Sequence, residues 1–326
     1  MRTPTEPGAI DLMATVQSLP GQQGEERADL ELTRLEQYVL LHEVGSGGMG
    51  VVYAAYDETL DRKVAIKLLH EEEGAQPRLH REAQAMARLS HPNVVPVFET
   101  GQTEGRAYIV MEFVDGQTLG RWLRAATRSR AAILAVFRGA AEGLIAAHEQ
   151  GLVHRDFKPD NVMVRGDGRA MVMDFGVARA GASGGCGGSS VALDALIESG
   201  ELSNQLTCNS DITALTKTGT ILGTPAYMAP EQFRGNGSED ALADQFSFCV
   251  ALWEALFGCR PFAGDSLLTL EQAILDRAYS TPSAHDVPTW LRRVLERGLA
   301  PTPDERWPSM RALLDALDDD PTRRRR

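Results

Sequence analysis

The stretch His154-Arg155-Asp156-Phe157-Lys158-Pro159-Asp160-Asn161, followed by Asp174-Phe175-Gly176, decides the reading of this chain. Two carboxylates and one amide oxygen at this spacing can hold magnesium on a nucleotide and orient an attacking hydroxyl, which is what phosphoryl transfer asks of a protein. His154 reads as a packed, hydrogen-bonded core histidine. Phe175 reads as an apolar wedge that sets the pose of Asp174, and neither does chemistry.

Upstream, an apolar-rich run from Tyr38 to Val44 leads into Gly45-Ser46-Gly47-Gly48-Met49-Gly50 and resumes at Val51-Val52-Tyr53-Ala54-Ala55-Tyr56. The pattern is strand, glycine turn, strand. Gly45, Gly47 and Gly50 have the spacing that lets backbone N–H groups approach phosphate oxygens with no Cβ in the way. Alone, the turn reads as readily as a plain hairpin or another nucleotide site, but a dinucleotide fold would need a helix directly after it, and here a strand follows. Lys67 lies on a third apolar strand, Val64 to Leu69, where an ammonium either snorkels to solvent or serves anionic phosphates. Glu82, on a helix expected from Pro77 to Leu89, is its candidate counter-ion, whereas Glu71, Glu72 and Glu73 read as a solvated turn.

Residues 1–34, rich in Pro, Gly, Gln, Glu and Thr, read as a mobile, disordered leader. A folded domain is expected over 35–317, with a charged tail at 318–326. Strands from Val94 to Thr100 and from Ala107 to Phe113 complete a small sheet. Beyond Asp115-Gly116, helices are expected from Leu119 to Leu123, Arg130 to Gln150 and Asp244 to Phe257, the last apolar on most faces and therefore buried. The fold class is α+β and bilobal: a sheet-rich lobe at 35–113 with one main helix, and a larger, mainly helical lobe at 117–317. Between Gly176 and Ala229 runs a connection far beyond ordinary loop lengths of about 4–6 residues, opened by the glycine-rich run from Gly181 to Ser190.

The chain has 326 residues, 43% of them apolar, enough for a real core, and a net charge of -12. That charge argues against a nucleic-acid partner, because cations cluster only in the last four residues. Cys186, Cys208, Cys249 and Cys259 form no CxxC pair and have no histidines at zinc-ligand spacing. They fit a reduced intracellular protein, with Cys249 and Cys259 as packing residues. No segment approaches ~18 uninterrupted apolar residues, so no membrane span is expected in this sequence. Localisation is expected to be cytoplasmic. The terminal basic run ending at Arg326 reads as a solvated tail, or as the flank of a membrane helix if the natural gene continues past it.

The order and spacing of GSGGMGVV, VAIK, HRDFKPDN, DFG and GTPAYMAPE resemble the eukaryotic-like (Hanks-type) serine/threonine protein kinases, especially bacterial ones, over roughly Leu35 to Leu317. The resemblance implies a bilobal kinase fold, ATP and magnesium (or manganese) as cofactors, and proteins with serine or threonine acceptors as partners. It implies that Asp156 is the catalytic base, that Lys158 neutralises the transferring phosphoryl group, and that Lys67, fixed by Glu82, positions the α- and β-phosphates. Asn161 and Asp174 would hold the metal. Val52, Ala65 and Met163 would sandwich adenine, Met111 would be the gatekeeper, and Glu112 to Val114 would be the hinge that bonds the base edge. Lys158 implies serine/threonine rather than tyrosine specificity.

The activation segment would run over 174–231. Arg155 resembles the arginine that reads a phosphate there, with Thr216, Thr218 and Thr220 as acceptors before Gly223-Thr224-Pro225, modified by autophosphorylation in a transient dimer. Thr224 would contact Asp156 and Lys158, and Glu231 would form a buried ion pair with Arg306. The usual Asp-x-Trp-Ser-x-Gly helix appears as Asp244-Gln245-Phe246-Ser247-Phe248-Cys249, keeping the aspartate that would support the catalytic-loop backbone. The glycine-rich insertion at 181–215 also departs from the pattern, and Val191 to Leu202 within it reads as a short amphipathic helix for docking. Two other readings use the same residues: a nucleotide-binding scaffold, against which every catalytic position is occupied, and a small-molecule phosphotransferase, which would lack Ala229-Pro230-Glu231 and the threonine-bearing loop.

Overall fold

The computed structural model describes residues 34–47, 50–70, 85–103, 105–175, 224–233, 240–281 and 286–320. The leader at 1–33, Glu82, Gly176, Cys186, Cys208, the insertion with its expected helix, Thr216, Thr218, Thr220 and the last six residues lie outside the described residues, as does the side chain of Thr224.

The first lobe is a six-stranded antiparallel sheet. Strands β1 (Arg34–Leu35), β2 (Tyr38–Gly47), β3 (Gly50–Asp57), β4 (Arg62–Leu69), β5 (Val97–Thr103) and β6 (Arg106–Glu112) lie in the order β1-β2-β3-β4-β6-β5. The β3–β4 turn is held by Asp57, which is buried and accepts the N–H groups of Thr59 and Leu60 at 3.1 Å. Alternation puts Val64, Ile66 and Leu68 on one face with Leu35, Tyr38, Tyr108 and Val110, leaving Ala65 and Lys67 on the other. Gly50 has φ of +151°, and a Cβ there would stand 2.1 Å from the Leu68 carbonyl oxygen, so only glycine lets β3 begin so close to β4.

One helical turn, α1, covers residues 85–88. The second lobe contains α2 (Leu119–Ala125), α3 (Arg130–Glu149), α4 (Pro230–Phe233), α5 (Ala241–Phe257), α6 (Leu267–Leu275), α7 (Thr289–Gly298) and α8 (Met310–Asp318). Thr118, Ser129, Asp240, Ser266 and Ser309 cap the starts of five of them by accepting an N–H from the first turn. Helix α3 is long and apolar enough to cross a bilayer by length and composition. Its Val136, Phe137, Ala140, Leu144 and Ala147 are instead buried in the core against α5, α8 and a small sheet.

Helix α5 is buried on most faces, as its apolar content predicts. Phe246, Phe248, Leu252 and Trp253 are wholly enclosed, each worth roughly 1.5–3 kcal/mol of transfer free energy. Cys249 is enclosed too, and Gly298 makes room for it: a Cβ at Gly298 would lie 2.4 Å from its sulfur. A cysteine on α5 is accommodated by a glycine on α7.

One expectation is corrected: the strand expected from Val94 begins at Val97. Pro96 has no N–H to donate, and the chain before it crosses to the helical lobe, where Val94 bridges Val172 and the Val95 N–H donates to the Val172 carbonyl at 2.9 Å. Within the second lobe, mainly helical as expected, β7 (Gly116–Thr118), β8 (Val162–Arg165) and β9 (Ala170–Val172) form a second antiparallel sheet. Strands of three or four residues are too short to show a period, and their pairing together with the packing of β9 against α3 holds them.

Candidate active site

The loop from His154 to Asn161 is set between α3 and β8 by contacts to its backbone. Asp244, buried at the start of α5, accepts the N–H groups of His154 and Arg155 at 2.7 Å each, and His148 Nε2 donates to it at 2.8 Å. His154 itself is fully buried: Nε2 donates to the Met173 carbonyl at 2.9 Å and Nδ1 accepts the Asp156 N–H at 3.3 Å. Both bonds are satisfied by the tautomer protonated on Nε2. Phe175 is buried with its ring centroid 4.8 Å from that of His154. His154 is thus packed and hydrogen-bonded, as expected of it, with Phe175 buried beside it.

Asp156 projects from this loop with its carboxylate in contact with two partners. Lys158 Nζ lies 2.7 Å from Oδ2, and Asn161 Nδ2 donates to Oδ2 at 3.0 Å and to the Asp156 carbonyl at 2.8 Å. Asn161 is tied in turn to the next strand, since its carbonyl accepts the Met173 N–H at 3.0 Å. That bond brings Asp174 to the mouth of the loop.

Lys67 enters from the sheet-rich lobe. It is 5% exposed, and its Nζ stands 3.0 Å from Asp174 Oδ1, so the buried ammonium has a partner and does not snorkel to solvent. The counter-ion expected from the sequence, Glu82, lies outside the described residues. In register, Lys67 faces Val52, Val52 faces Gly45, and Ala65 faces Met111. Gly45, Gly47, Gly50, Val52, Ala65 and Lys67 therefore share the strands above the loop, with Met163 of β8 packed against the core below and Glu112 to Val114 running between the lobes. Met111 and Val114 are buried.

Two residues bracketing the site, Arg155 and Asp174, have φ of +67° and +63°. A left-handed backbone at a non-glycine residue costs on the order of 1–3 kcal/mol and persists only where the surroundings impose it. At Arg155 the surroundings are visible: the Asp244 bond on its N–H and a bond from Gln232 Nε2 to its carbonyl at 2.8 Å.

The end of the long connection is anchored separately. Glu231 and Arg306 form a two-pronged ion pair at 2.7 and 2.8 Å, and Arg306, wholly buried, also donates to the carbonyls of Ala300, Leu242 and Pro301 and lies over the Phe246 ring. Phe246 stands where the related pattern has tryptophan, and it still supplies an aromatic face to the guanidinium. Ser247 Oγ holds the Tyr227 carbonyl at 2.7 Å, and the Tyr227 hydroxyl donates to Glu254 at 2.6 Å.

Sequence reasoning missed His148, Gln232 and the Arg165–Glu112 ion pair, which at 2.8 Å ties β8 to the connection between lobes. Each depends on a partner remote in sequence, and no local spacing announces it. A separate cavity of about 1220 Å³, lined by Phe137, Asp160, Tyr227, Glu254 and Trp290 among others, includes none of Lys67, Asp156, Asn161 or Asp174.

A two-lobed fold with a lysine from the sheet, two aspartates and an asparagine converging at the cleft is the arrangement of the protein kinases. The chain belongs to that family: the model for the protein kinase domain matches residues 38–317. It is 38% identical over 294 residues to the serine/threonine-protein kinase PksC of Streptomyces coelicolor, covering 86% of this chain and 48% of that protein. To PknL of Mycobacterium tuberculosis it is 35% identical over 264 residues, covering 79% and 59%. The chain thus spans about half the length of the curated relatives it matches. Its fold is similar to the crystal structure of the Mycobacterium tuberculosis PknI kinase domain, with a TM-score of 0.61, 24% identity, and coverage of 87% of this chain and 96% of that one.

Proposed function

We propose that this chain is a serine/threonine protein kinase that transfers the γ-phosphate of ATP to hydroxyls of protein substrates. The observation that carries the reading is the cleft itself: Asp156, held by Lys158 and Asn161, faces a sheet that brings Lys67 within 3.0 Å of Asp174. Relatives named as serine/threonine-protein kinases support it.

Asp156 accepts the proton of the acceptor hydroxyl as its oxygen attacks the γ-phosphorus in line with the departing bridge oxygen. Lys158 lies beside Asp156 to meet the charge on the transferring group. Lys67 receives the phosphates and is kept in place by Asp174. The donor set of one carboxylate, Asp174, with the amide oxygen of Asn161 suits magnesium, which takes few protein ligands and completes its shell with phosphate oxygens and water. When bound, the metal neutralises charge on the β- and γ-phosphates. Val52, Ala65, Met111 and Met163 close over the base, and the backbone of Glu112 to Val114 meets its edge.

Autophosphorylation at Thr216, Thr218 or Thr220 is the regulatory part of the proposal, with Arg155 as the reader of the phosphate. The test is incubation with magnesium and γ-labelled ATP beside Asp156→Asn, followed by phosphosite mapping on the chain and on a generic basic protein. Label on serine or threonine that disappears in the variant is expected. ATP binding without any label would overturn the enzyme reading in favour of a scaffold. An active preparation with no modified threonine between Thr207 and Thr224 would reject the switch alone.

A further inference from the structure

We infer that Gln232 is a positioning residue for phosphoryl transfer: its side-chain amide fixes the peptide unit that carries Asp156, and so couples the base to the anchored end of the long connection. The inference rests on the phosphotransfer reading proposed above and adds a residue to it.

Gln232 lies in the short helix α4, after Ala229, and its Oε1 accepts the Ala229 N–H at 2.8 Å while its own N–H donates to the Ala229 carbonyl at 2.9 Å. This is the returning half of a helix capping box, a task that glutamate performs as well as glutamine. The other end of the side chain does something a cap does not require. Nε2 donates to the Arg155 carbonyl at 2.8 Å. The reverse amide orientation would set the NH2 against the Ala229 N–H and the oxygen against the Arg155 carbonyl, so the network admits only one assignment.

The Arg155 carbonyl and the Asp156 N–H belong to the same peptide plane. Gln232 holds the oxygen of that plane, and His154 Nδ1 holds its N–H at 3.3 Å. The plane leaves a residue with φ of +67°, a conformation the chain does not keep unaided. Tilting it would swing the Asp156 Cα, and with it the carboxylate that meets Lys158 and Asn161. Gln232 can resist the tilt because its neighbour Glu231 is clamped by the buried Arg306. A continuous tie therefore runs from Arg306 through Glu231 and Gln232 to Arg155 and the base.

The discriminating substitution is Gln232→Glu. It keeps the acceptor for Ala229 and hence the cap, but replaces the donor to Arg155 with a carboxylate oxygen facing a carbonyl oxygen. A capping role alone predicts wild-type behaviour. Positioning predicts an unchanged KM for ATP, a kcat reduced roughly tenfold, about the worth of one lost hydrogen bond in a transition state, and faster hydrogen exchange at the Asp156 amide, with a melting temperature lowered by the facing oxygens. Gln232→Met, with similar length and no polar atoms, should lower kcat and the melting temperature together.

Wild-type kcat and wild-type exchange at Asp156 in Gln232→Glu would overturn the inference, as would a lowered kcat with unchanged exchange. A wild-type chain that binds ATP yet transfers no phosphate would overturn the phosphotransfer reading, and with it the kinetic role of Gln232. The exchange rate of the Asp156 amide would still decide whether Gln232 holds that peptide.

Discussion

Asp244 Oδ1 accepts the Arg155 backbone N–H at 2.7 Å, and this bond links the buried start of α5 to the residue before Asp156. The second oxygen takes the His154 N–H and the His148 ring. Three donors converge on one carboxylate that is 1% exposed, and no amide can accept from all of them.

Asp244→Asn should therefore leave at least one buried N–H facing an NH2 group, at a cost of about 1–3 kcal/mol. Chemical denaturation should show that loss of stability, and the labelling assay should show a fall in kcat larger than any change in KM for ATP. Unaltered turnover in a destabilised variant would mean that Asp244 supports the fold without shaping the catalytic loop.

Lys67 tests the cleft from the sheet side. Removing one partner of a largely buried ion pair leaves the other charge without its counter-ion, whereas replacing both by apolar groups is often neutral. Lys67→Met should therefore lower the melting temperature, though by less than stripping a wholly enclosed charge would, since the Asp174 side chain is 19% exposed. Its phosphotransfer should drop by about 10² or more, as expected for the loss of a transition-state contact to phosphate. A stable Lys67→Met chain that retains most of its turnover would remove Lys67 from the mechanism.

The parts legible in the sequence are those whose signal is local. The strands of the first lobe show their alternation, the glycine turn shows its spacing, and the run from His154 to Asn161 carries its chemistry within a few residues. The α5 helix was legible because it is apolar on nearly all sides. What could not be read depends on distant partners. The short strands β7 to β9 exist only as a set, and the crossing of Val94 and Val95 onto Val172 follows from packing between lobes. Gln232 is an ordinary polar residue until Arg155 is brought to its amide.

The Glu231–Arg306 pair was expected from resemblance, and its geometry says which side is costlier to remove. Glu231→Ala leaves a fully buried guanidinium without its counter-ion, and should destabilise by about 3–5 kcal/mol. Replacing both, Glu231→Ala with Arg306→Met, should cost less than the sum of the single changes, because the two residues share one network. A denaturant-unfolding cycle measures this directly. Strict additivity would show that the pair contributes nothing beyond its separate hydrogen bonds.

Alkaline pH should expose the enclosed acidic groups. Burial, then the neighbouring Glu254 that accepts its proton bond, pushes the Tyr227 hydroxyl well above the ordinary tyrosine range. Tyr38 is raised by burial and Glu99, and Tyr108 by burial and Glu36. Tyr279 is pushed up to about 12 by burial and Glu296, and burial alone raises the Cys249 thiol. In every case the folded chain keeps a proton that the unfolded chain releases near pH 9 for the thiol and pH 10 for the phenols. The unfolded state is then favoured as pH rises, by up to about 1.4 kcal/mol per pH unit for each group ionised only after unfolding. Stability should be level with respect to these groups below pH 9 and fall progressively above it, the Tyr279 share being spent near pH 12. Urea midpoints between pH 8 and 11, with absorbance of ionised tyrosine followed in parallel, would show the phenolate signal of these residues arriving with unfolding. Tyr227→Phe should flatten the slope by one group while removing one hydrogen bond to Glu254, which keeps its ion pair with Arg260, so its midpoint at pH 8 should be lower and its alkaline decline shallower. A variant that declines as steeply as the wild type would show that Tyr227 ionises freely in the folded chain.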